Sequence, residues 1–253
     1  MKLLHLQTAT LSSLLGLIEA EPGQYRYMFR GQTNAAWNLT PALYRMENIS
    51  IHSDTLENSY DLFESRLIDR FFEEGQPYLP SGNRSYSGDR ILAQHFGVPT
   101  RLLDWSLDPF VALFFAVESW QTSDDAAVFL LMPDAQYRPE EVTGLGPHKA
   151  IALIPPAFDR RIPAQKSIFT FHPYGPSNSA FVPLNLRADI GNQITTSTNT
   201  LERAFAKIII PTQFKRRLFS TLLQLGIDRR NLFPGLDGVG SDVAIRARTG
   251  QIF

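Results

Sequence analysis

With 253 residues, 43% of them hydrophobic and 19% charged, the chain has the composition of a globular protein and not of a disordered one. A net charge of −1 excludes a strong overall basic field, although local basic runs leave nucleic acid open as a partner. The absence of cysteine excludes disulfides, thiolate metal sites and a cysteine nucleophile.

The first residues, Met1 to Leu6, are followed at once by Gln7 and Thr8 and include His5, which makes a poor export signal. No apolar run approaches the roughly 20 residues that span a bilayer. The expected location is therefore cytoplasmic, with no membrane partner. Leu11, Leu14, Leu15 and Ile18 recur at helical spacing behind Thr8 or Thr10 as cap, predicting a short helix that ends by Pro22-Gly23. Tyr25 to Arg30 alternates like a strand, with Tyr25, Tyr27 and Phe29 on one face and Arg26, Met28 and Arg30 on the other. Arg30 thus stands at a strand end before Gly31, which admits close approach to the backbone, and Gln32. An ordinary surface arginine and a recessed ligand site are both open at this point.

Asp54 and Glu57 form a capping box for an amphipathic helix that runs to about Glu74. Gly75 to Asp89 reads as a loop. A block from Leu92 to Glu118 then carries the densest information. It predicts a helix stopping at Gly97, a short strand over Thr100 to Asp104, and an apolar helix started by Asp108-Pro109. Among its apolar residues stand Gln94, His95, Thr100, Arg101, Asp104, Trp105, Ser106 and Asp108. They read either as an Arg101–Asp104 pair tying strand to helix with Asp108 as a cap, or as a pocket wall; the two are compatible.

Ala126 to Met132 and Ala150 to Ile154 predict buried strands separated by a polar, turn-rich stretch. Ile168 to Phe171 predicts a strand with Gln165, Lys166 and Ser167 at its entrance. Residues 173–200 read as a long loop or insertion. A strand over Phe205 to Ile210 leads to a helix from Thr212 to Gly226, on which Lys215, Arg216 and Arg217 form a solvated basic face. A short helix from Ser241 or Asp242 closes the chain. Strands interrupted by helices, with few clean β-α-β units, predict a single α+β domain over residues 1–253.

The five histidines are scattered without metal-ligand spacing, so no metal is expected, and phosphate-loop, dinucleotide and serine-hydrolase motifs are missing. What remains is a resemblance. Phe29-Arg30-Gly31-Gln32, then Leu92 through Trp105, Ala164 to Thr170 and Leu232 to Gly238 resemble the FRG-domain family, over nearly the whole chain. The motif order is also similar to the ADP-ribosyltransferase fold, which implies a split, mixed and mostly antiparallel β core with flanking helices.

That similarity implies NAD+ as substrate and Arg30 as the anchor of its dinucleotide. Ser106 or Thr100 takes the second-strand position, Trp105 stacks on a ring, and Gln165 falls where such enzymes carry a glutamate. Catalytic candidates are therefore Arg30, Asp104, Ser106 and Gln165, and ligand-binding candidates are Arg30, Gly31, Gln32, Thr100, Arg101, Trp105 and Ser167. Because Gln165 is neutral, Asp104 or Asp237 is the replacement carboxylate. The implied function is an ADP-ribosyltransferase-like enzyme with an unidentified macromolecular acceptor, acting as an intracellular toxin or phage-defence effector. The other reading is a non-catalytic module that binds a nucleotide or nucleic-acid end through Arg30, Arg84 and Arg101.

Overall fold

The computed structural model describes residues 1–21, 27–46, 56–79, 84–142, 150–172, 181–188, 190, 193–195, 200–202 and 205–250. The expected stop at Pro22-Gly23, the Tyr25-Arg26 end of the aromatic strand and Asp54 of the capping box lie outside them. In chain order the elements are β1 (Lys2–His5), α1 (Leu11–Glu19), β2 (Met28–Gln32), α2 (Leu56–Gly75), α3 (Tyr86–His95), β3 (Leu102–Ser106) and α4 (Pro109–Val117). They continue with β4 (Ala126–Leu131), β5 (Ala135–Tyr137), β6 (Ile151–Leu153), α5 (Arg161–Ala164), β7 (Ser167–Phe171), β8 (Gln193–Thr195) and β9 (Thr200–Glu202). Last come β10 (Phe205–Ile210), α6 (Thr212–Gln224), α7 (Arg229–Leu232) and α8 (Leu236–Thr249).

Among the described residues eight strands form one open sheet in the order β1-β10-β4-β2-β3-β7-β6-β5, while β8 and β9 pair separately. The outer pairs β1/β10 and β5/β6 are parallel and every junction between them is antiparallel. The expected α+β class with a mostly antiparallel core is what the chain adopts. The sheet is uneven: β4 pairs β2 along five residues, but β2 meets β3 at the single pair Phe29–Ser106. Beyond that pair the two halves of the sheet part.

Each face of the sheet is buried for a reason visible in the strands. β4 is apolar at every position and buried at every position, as a central strand covered on both faces must be. Phe29, Val128, Leu130 and Ile208 pack under α1, α4 and α6, while Met28, Phe129, Leu131 and Ile209 face a second core with Leu39, Trp105 and Leu184. A third cluster under α3 joins Ile91 and Leu102 to Phe169 and Phe171. Leu102 and Leu103 serve different clusters, as strand alternation requires. α4 starts where expected: Asp108 Oδ1 accepts from Phe110 N at 2.8 Å and Pro109 is the first helical residue. Burying side chains such as Leu113 and Phe114 fully contributes roughly 1.5–3 kcal/mol each.

Several boundaries differ from the sequence reading. The strand expected over Thr100 to Asp104 begins at Leu102, because Arg101 N donates to Glu64 Oε1 (2.8 Å) and the Thr100 hydroxyl is engaged with Gln94 and Leu102 N. α3 reaches back into the expected loop because Ser85 caps it, accepting from Gly88 N at 3.2 Å. The stretch 173–200 contains a turn at Leu184–Leu186 and strand β8, and α8 begins at Leu236 instead of Ser241 or Asp242. Lys215 leaves the basic face altogether. It is fully buried, and its ammonium donates to the Thr122 carbonyl (3.0 Å), the Thr122 hydroxyl (2.8 Å) and the Asp124 carbonyl (2.9 Å).

The expected Arg101–Asp104 pair is also exchanged. Arg101 instead joins Glu64, a fully buried carboxylate that accepts from Arg101 Nε at 2.6 Å and Arg90 Nε at 2.9 Å; Asp61 closes the group. Burial pulls the Arg101 guanidinium down, but Glu64 together with Tyr44, Tyr86 and Asp61 more than reverses this, so it is held above its ordinary value. The cluster locks α2 and α3 to the start of β3. Glu64→Gln leaves two buried guanidiniums short of a countercharge, and should cost about 3–5 kcal/mol in urea unfolding.

Gly31 has an equally specific role. A Cβ there would lie 1.9 Å from the Ala112 carbonyl oxygen and 2.6 Å from Ala116 N. The close approach that Gly31 allows is therefore that of α4, not of a ligand. Gly31→Ala must push the helix off the sheet, and should lower stability by about 3 kcal/mol or more in the same measurement.

Candidate functional site

Where β2 and β3 part, the surface opens into a cleft of about 730 Å³. β2 supplies Phe29, Arg30, Gly31 and Gln32, and β3 supplies Asp104, Trp105 and Ser106. Gln165 and Ser167 come from the start of β7, and Val111, Ala112, Phe115 and Glu118 from α4 and its end. Thr33 to Arg45 and Phe233 complete the rim through Trp37, Asn38, Thr40 and their neighbours. Arg30, Asp104, Ser106, Gln165, Gln32 and Ser167, distant in sequence, are thus brought to one hollow.

Arg30 spans the gap. Its Nη1 donates to the Asp104 carbonyl oxygen at 2.6 Å, and Asp104 Oδ2 lies 3.9 Å from the same nitrogen. The guanidinium is recessed, with only 21% of its side chain exposed, whereas that of Asp104 is 65% exposed. Burial lowers the Arg30 pKa, Asp104 opposes this and the like charge of Arg45 adds to it; the group remains a cation. Its buried Nε has no hydrogen-bond partner among the described residues, and neither has Oε1 of Gln32, two positions along the same strand face. Gln32 uses its other polar atom, Nε2, to donate to the Asn38 carbonyl at 3.4 Å.

Ser106 and Gln165 are partly occupied by the protein itself. The Ser106 hydroxyl donates to the Gln165 carbonyl at 2.7 Å and accepts from Asp108 N at 3.0 Å. Gln165 Nε2 donates to the Leu232 carbonyl at 2.9 Å, which leaves its Oε1 for the cleft. Asp108 is held by Lys166 at 2.7 Å besides capping α4.

Four expected site residues, Thr100, Arg101, Arg84 and Asp237, fall elsewhere, and a fifth, Trp105, is otherwise engaged. Thr100 and Arg101 are buried beside α2 and α3 and do not line the cleft. Trp105 contributes to the wall, but the residue is only 3% exposed and its indole donates to Thr170 at 2.8 Å, so the ring is not open for stacking. Arg84 pairs with Asp89 at 2.9 Å and lies over Phe72, so Arg30, Arg84 and Arg101 do not converge. Asp237, in the first turn of α8, is not a lining residue.

Other lining residues escaped the sequence reading: Trp37, Arg45, Phe115, Glu118 and Phe233. Phe233 belongs to the Leu232–Gly238 motif, and its ring has Arg161 and Arg229 guanidiniums at 5.7 and 4.7 Å and Phe115 at 6.1 Å. Glu118 is neutralised by Arg229. Among the described residues no group of three or more histidines and carboxylates is placed to hold a metal ion, and no helix is long and apolar enough to cross a membrane.

Residues 25–125 match the model of one family, described as the FRG domain. An FRG domain is present over that stretch. The match takes in Arg30, Asp104, Ser106 and the whole of α4, and so most of the cleft. Gln165, Ser167 and Phe233, and the resemblance read over Ala164 to Thr170 and Leu232 to Gly238, lie outside it. No curated protein and no solved structure matches the chain.

Behind the cleft, Thr170 connects Trp105 to His172: it accepts from the indole and lies 2.7 Å from His172 Nε2. Burial, with Arg187 and Arg30 acting in the same direction, pushes the His172 pKa from 6.5 down to about 3. Between these values the unfolded chain binds this proton and the folded chain does not. Stability from this group is complete above pH 6.5 and is lost as pH falls toward 3. A urea series over pH 4–7 should show unfolding free energy falling on acidification, and His172→Gln should flatten the slope by about 1 kcal/mol per pH unit.

Proposed function

We propose that the cleft binds a nucleotide and that the chain is an ADP-ribosyltransferase-like enzyme acting on NAD+. The observation that supports this best is the pair of unpartnered buried atoms on one strand face, the donor Nε of Arg30 and the acceptor Oε1 of Gln32. Leaving such groups unsatisfied costs about 1–3 kcal/mol each, which a bound ligand with both acceptors and donors recovers. A guanidinium suits a pyrophosphate, to which it donates in parallel.

In this reading Arg30 holds the phosphates, and Asp104, the freest carboxylate of the cleft, faces the ribose. Breaking the nicotinamide glycosidic bond sends its electron pair to the leaving nicotinamide, and positive charge develops on the ribose, which Asp104 stabilises. Water or an acceptor nucleophile then closes on the anomeric carbon and loses its proton. Gln165 Oε1 accepts from a ribose hydroxyl. The acceptor is a macromolecule, and the setting that of an intracellular toxin or phage-defence effector; this last element rests on resemblance alone. A second reading, nucleotide binding without turnover, is supported by the Ser106 hydroxyl, whose proton is donated to the Gln165 carbonyl and which also accepts from Asp108 N.

The test is nicotinamide release from NAD+, with and without cell lysate. Arg30→Ala should raise KM at least tenfold, and Asp104→Asn should lower kcat by about 10² while leaving KM little changed. Wild-type protein that binds NAD+ but releases no nicotinamide in either condition selects the second reading. Protein that does not bind NAD+ sinks both.

A further inference from the structure

We infer that the loop after β2 is the ligand-selecting side of the cleft, with Trp37 as a stacking platform for a planar heteroaromatic base and Arg45 as a second cation on the phosphates. This rests on the nucleotide reading above and names which residues would choose the ligand.

Trp37 is 55% exposed, while the other two tryptophans are committed: Trp105 is buried, and Arg216 lies over Trp120 at 5.1 Å. No ring or cation among the described residues covers Trp37. An exposed indole on a loose loop would mean little, but this loop is fastened on both sides of it. Ala35 N donates to the Asp125 carbonyl at 2.6 Å, and the Lys207 ammonium donates to the Ala35 carbonyl. Ala36 N donates to Asn34 Oδ1 at 2.7 Å and Gln32 Nε2 to the Asn38 carbonyl. One residue further, Leu39 is fully buried, and its N–H donates to Asn185 Oδ1 at 2.7 Å while its carbonyl accepts from Leu184 N at 3.2 Å. A backbone fixed this closely holds the indole at the cleft mouth at little entropic cost on binding. Stacking needs only that geometry, since every base presents a π-face.

Arg45 ends a single helical turn, Ala42–Arg45, whose Leu43 is fully buried and donates its N–H to the Thr100 carbonyl at 3.1 Å. It is exposed, lines the cleft, and shares its field with Arg30. Glu118 is neutralised by Arg229, so Asp104 is the carboxylate left to offset two arginines. An added anion of more than one charge fits that imbalance.

The test is fluorescence titration of wild type, Trp37→Ala, Trp37→Phe, Arg45→Ala and Arg30→Ala with AMP, nicotinamide mononucleotide and inorganic pyrophosphate. Trp37 is exposed, so its variants should melt like wild type. At least one mononucleotide should quench indole emission, and the one that does identifies the base. Trp37→Ala should weaken that mononucleotide about tenfold and leave pyrophosphate unchanged. Trp37→Phe should abolish most of the quench while keeping most of the affinity, and Arg45→Ala should weaken pyrophosphate severalfold. Unchanged mononucleotide affinity in Trp37→Ala, with Arg30→Ala losing it, overturns this inference and leaves the nucleotide reading standing. Failure of wild type to bind any of the three overturns both. Stacking on Trp37 without nicotinamide release from NAD+ supports the inference and removes only the transferase step.

Discussion

The single residue pair between β2 and β3 is the constraint on which the rest of the molecule turns. A sheet with a full ladder there would have no hollow, and two separate sheets would have no shared floor. The chain holds an intermediate condition by sending one side chain across the opening: Arg30 donates to the Asp104 carbonyl, a backbone acceptor on the facing strand. The same act recesses a cation and leaves part of its hydrogen-bonding capacity unused. Structure and binding capacity therefore come from one residue, and the FRG-domain match contains both strands that frame it.

Two further devices keep the opening from spreading. On the β2 side, α4 sits directly on Gly31, so the apolar helix and the arginine strand move as one body. On the β3 side, the Glu64 cluster ties the start of the strand to α2 and α3 through buried ion pairs. Such pairs are poor sources of net stability but strict about geometry, since only a narrow set of positions satisfies all their donors. It follows that the polar residues of the central block divide by place. Those at its start hold the scaffold together, Asp104 and Ser106 face the cleft, and Asp108 caps α4.

How much of this was legible in the sequence depended on whether the signal was local. The cap at Asp108-Pro109, the all-apolar α4, the buried β4 and the alternation of Phe29 with Met28 and Arg30 are written in neighbouring residues and are found in the structure. But β2 runs on through Gly31 and Gln32, which pair with β4, so Arg30 stands at its centre and not at its end. The convergence of Arg30, Ser106 and Gln165 was legible only through the resemblance. Arg101 finds a different partner from the neighbouring Asp104 because Glu64, 37 positions away on the amphipathic α2, turns out to be buried. Lys215 misled for the same reason: the carbonyls it satisfies belong to a turn 91 and 93 positions upstream. Trp37 carried no periodic signal, being a loop residue defined by what its backbone is fastened to. The α8 helix was shortened in the reading because Gly238 and Gly240 dilute its pattern.

The two sides of the hollow are not equals. One is sheet and α4, with cooperative packing behind it. The other includes Phe233, at the end of α7, which is suspended from the sheet by Gln165 donating to Leu232 and from α4 by Arg229 on Glu118. Three side chains thus set the aperture on that flank. Its dimensions are therefore written in side-chain hydrogen bonds and ion pairs, where the opposite wall is written in a backbone ladder. The hollow is thus framed by two kinds of material, one specified by strand register and the other by the reach of a few polar side chains.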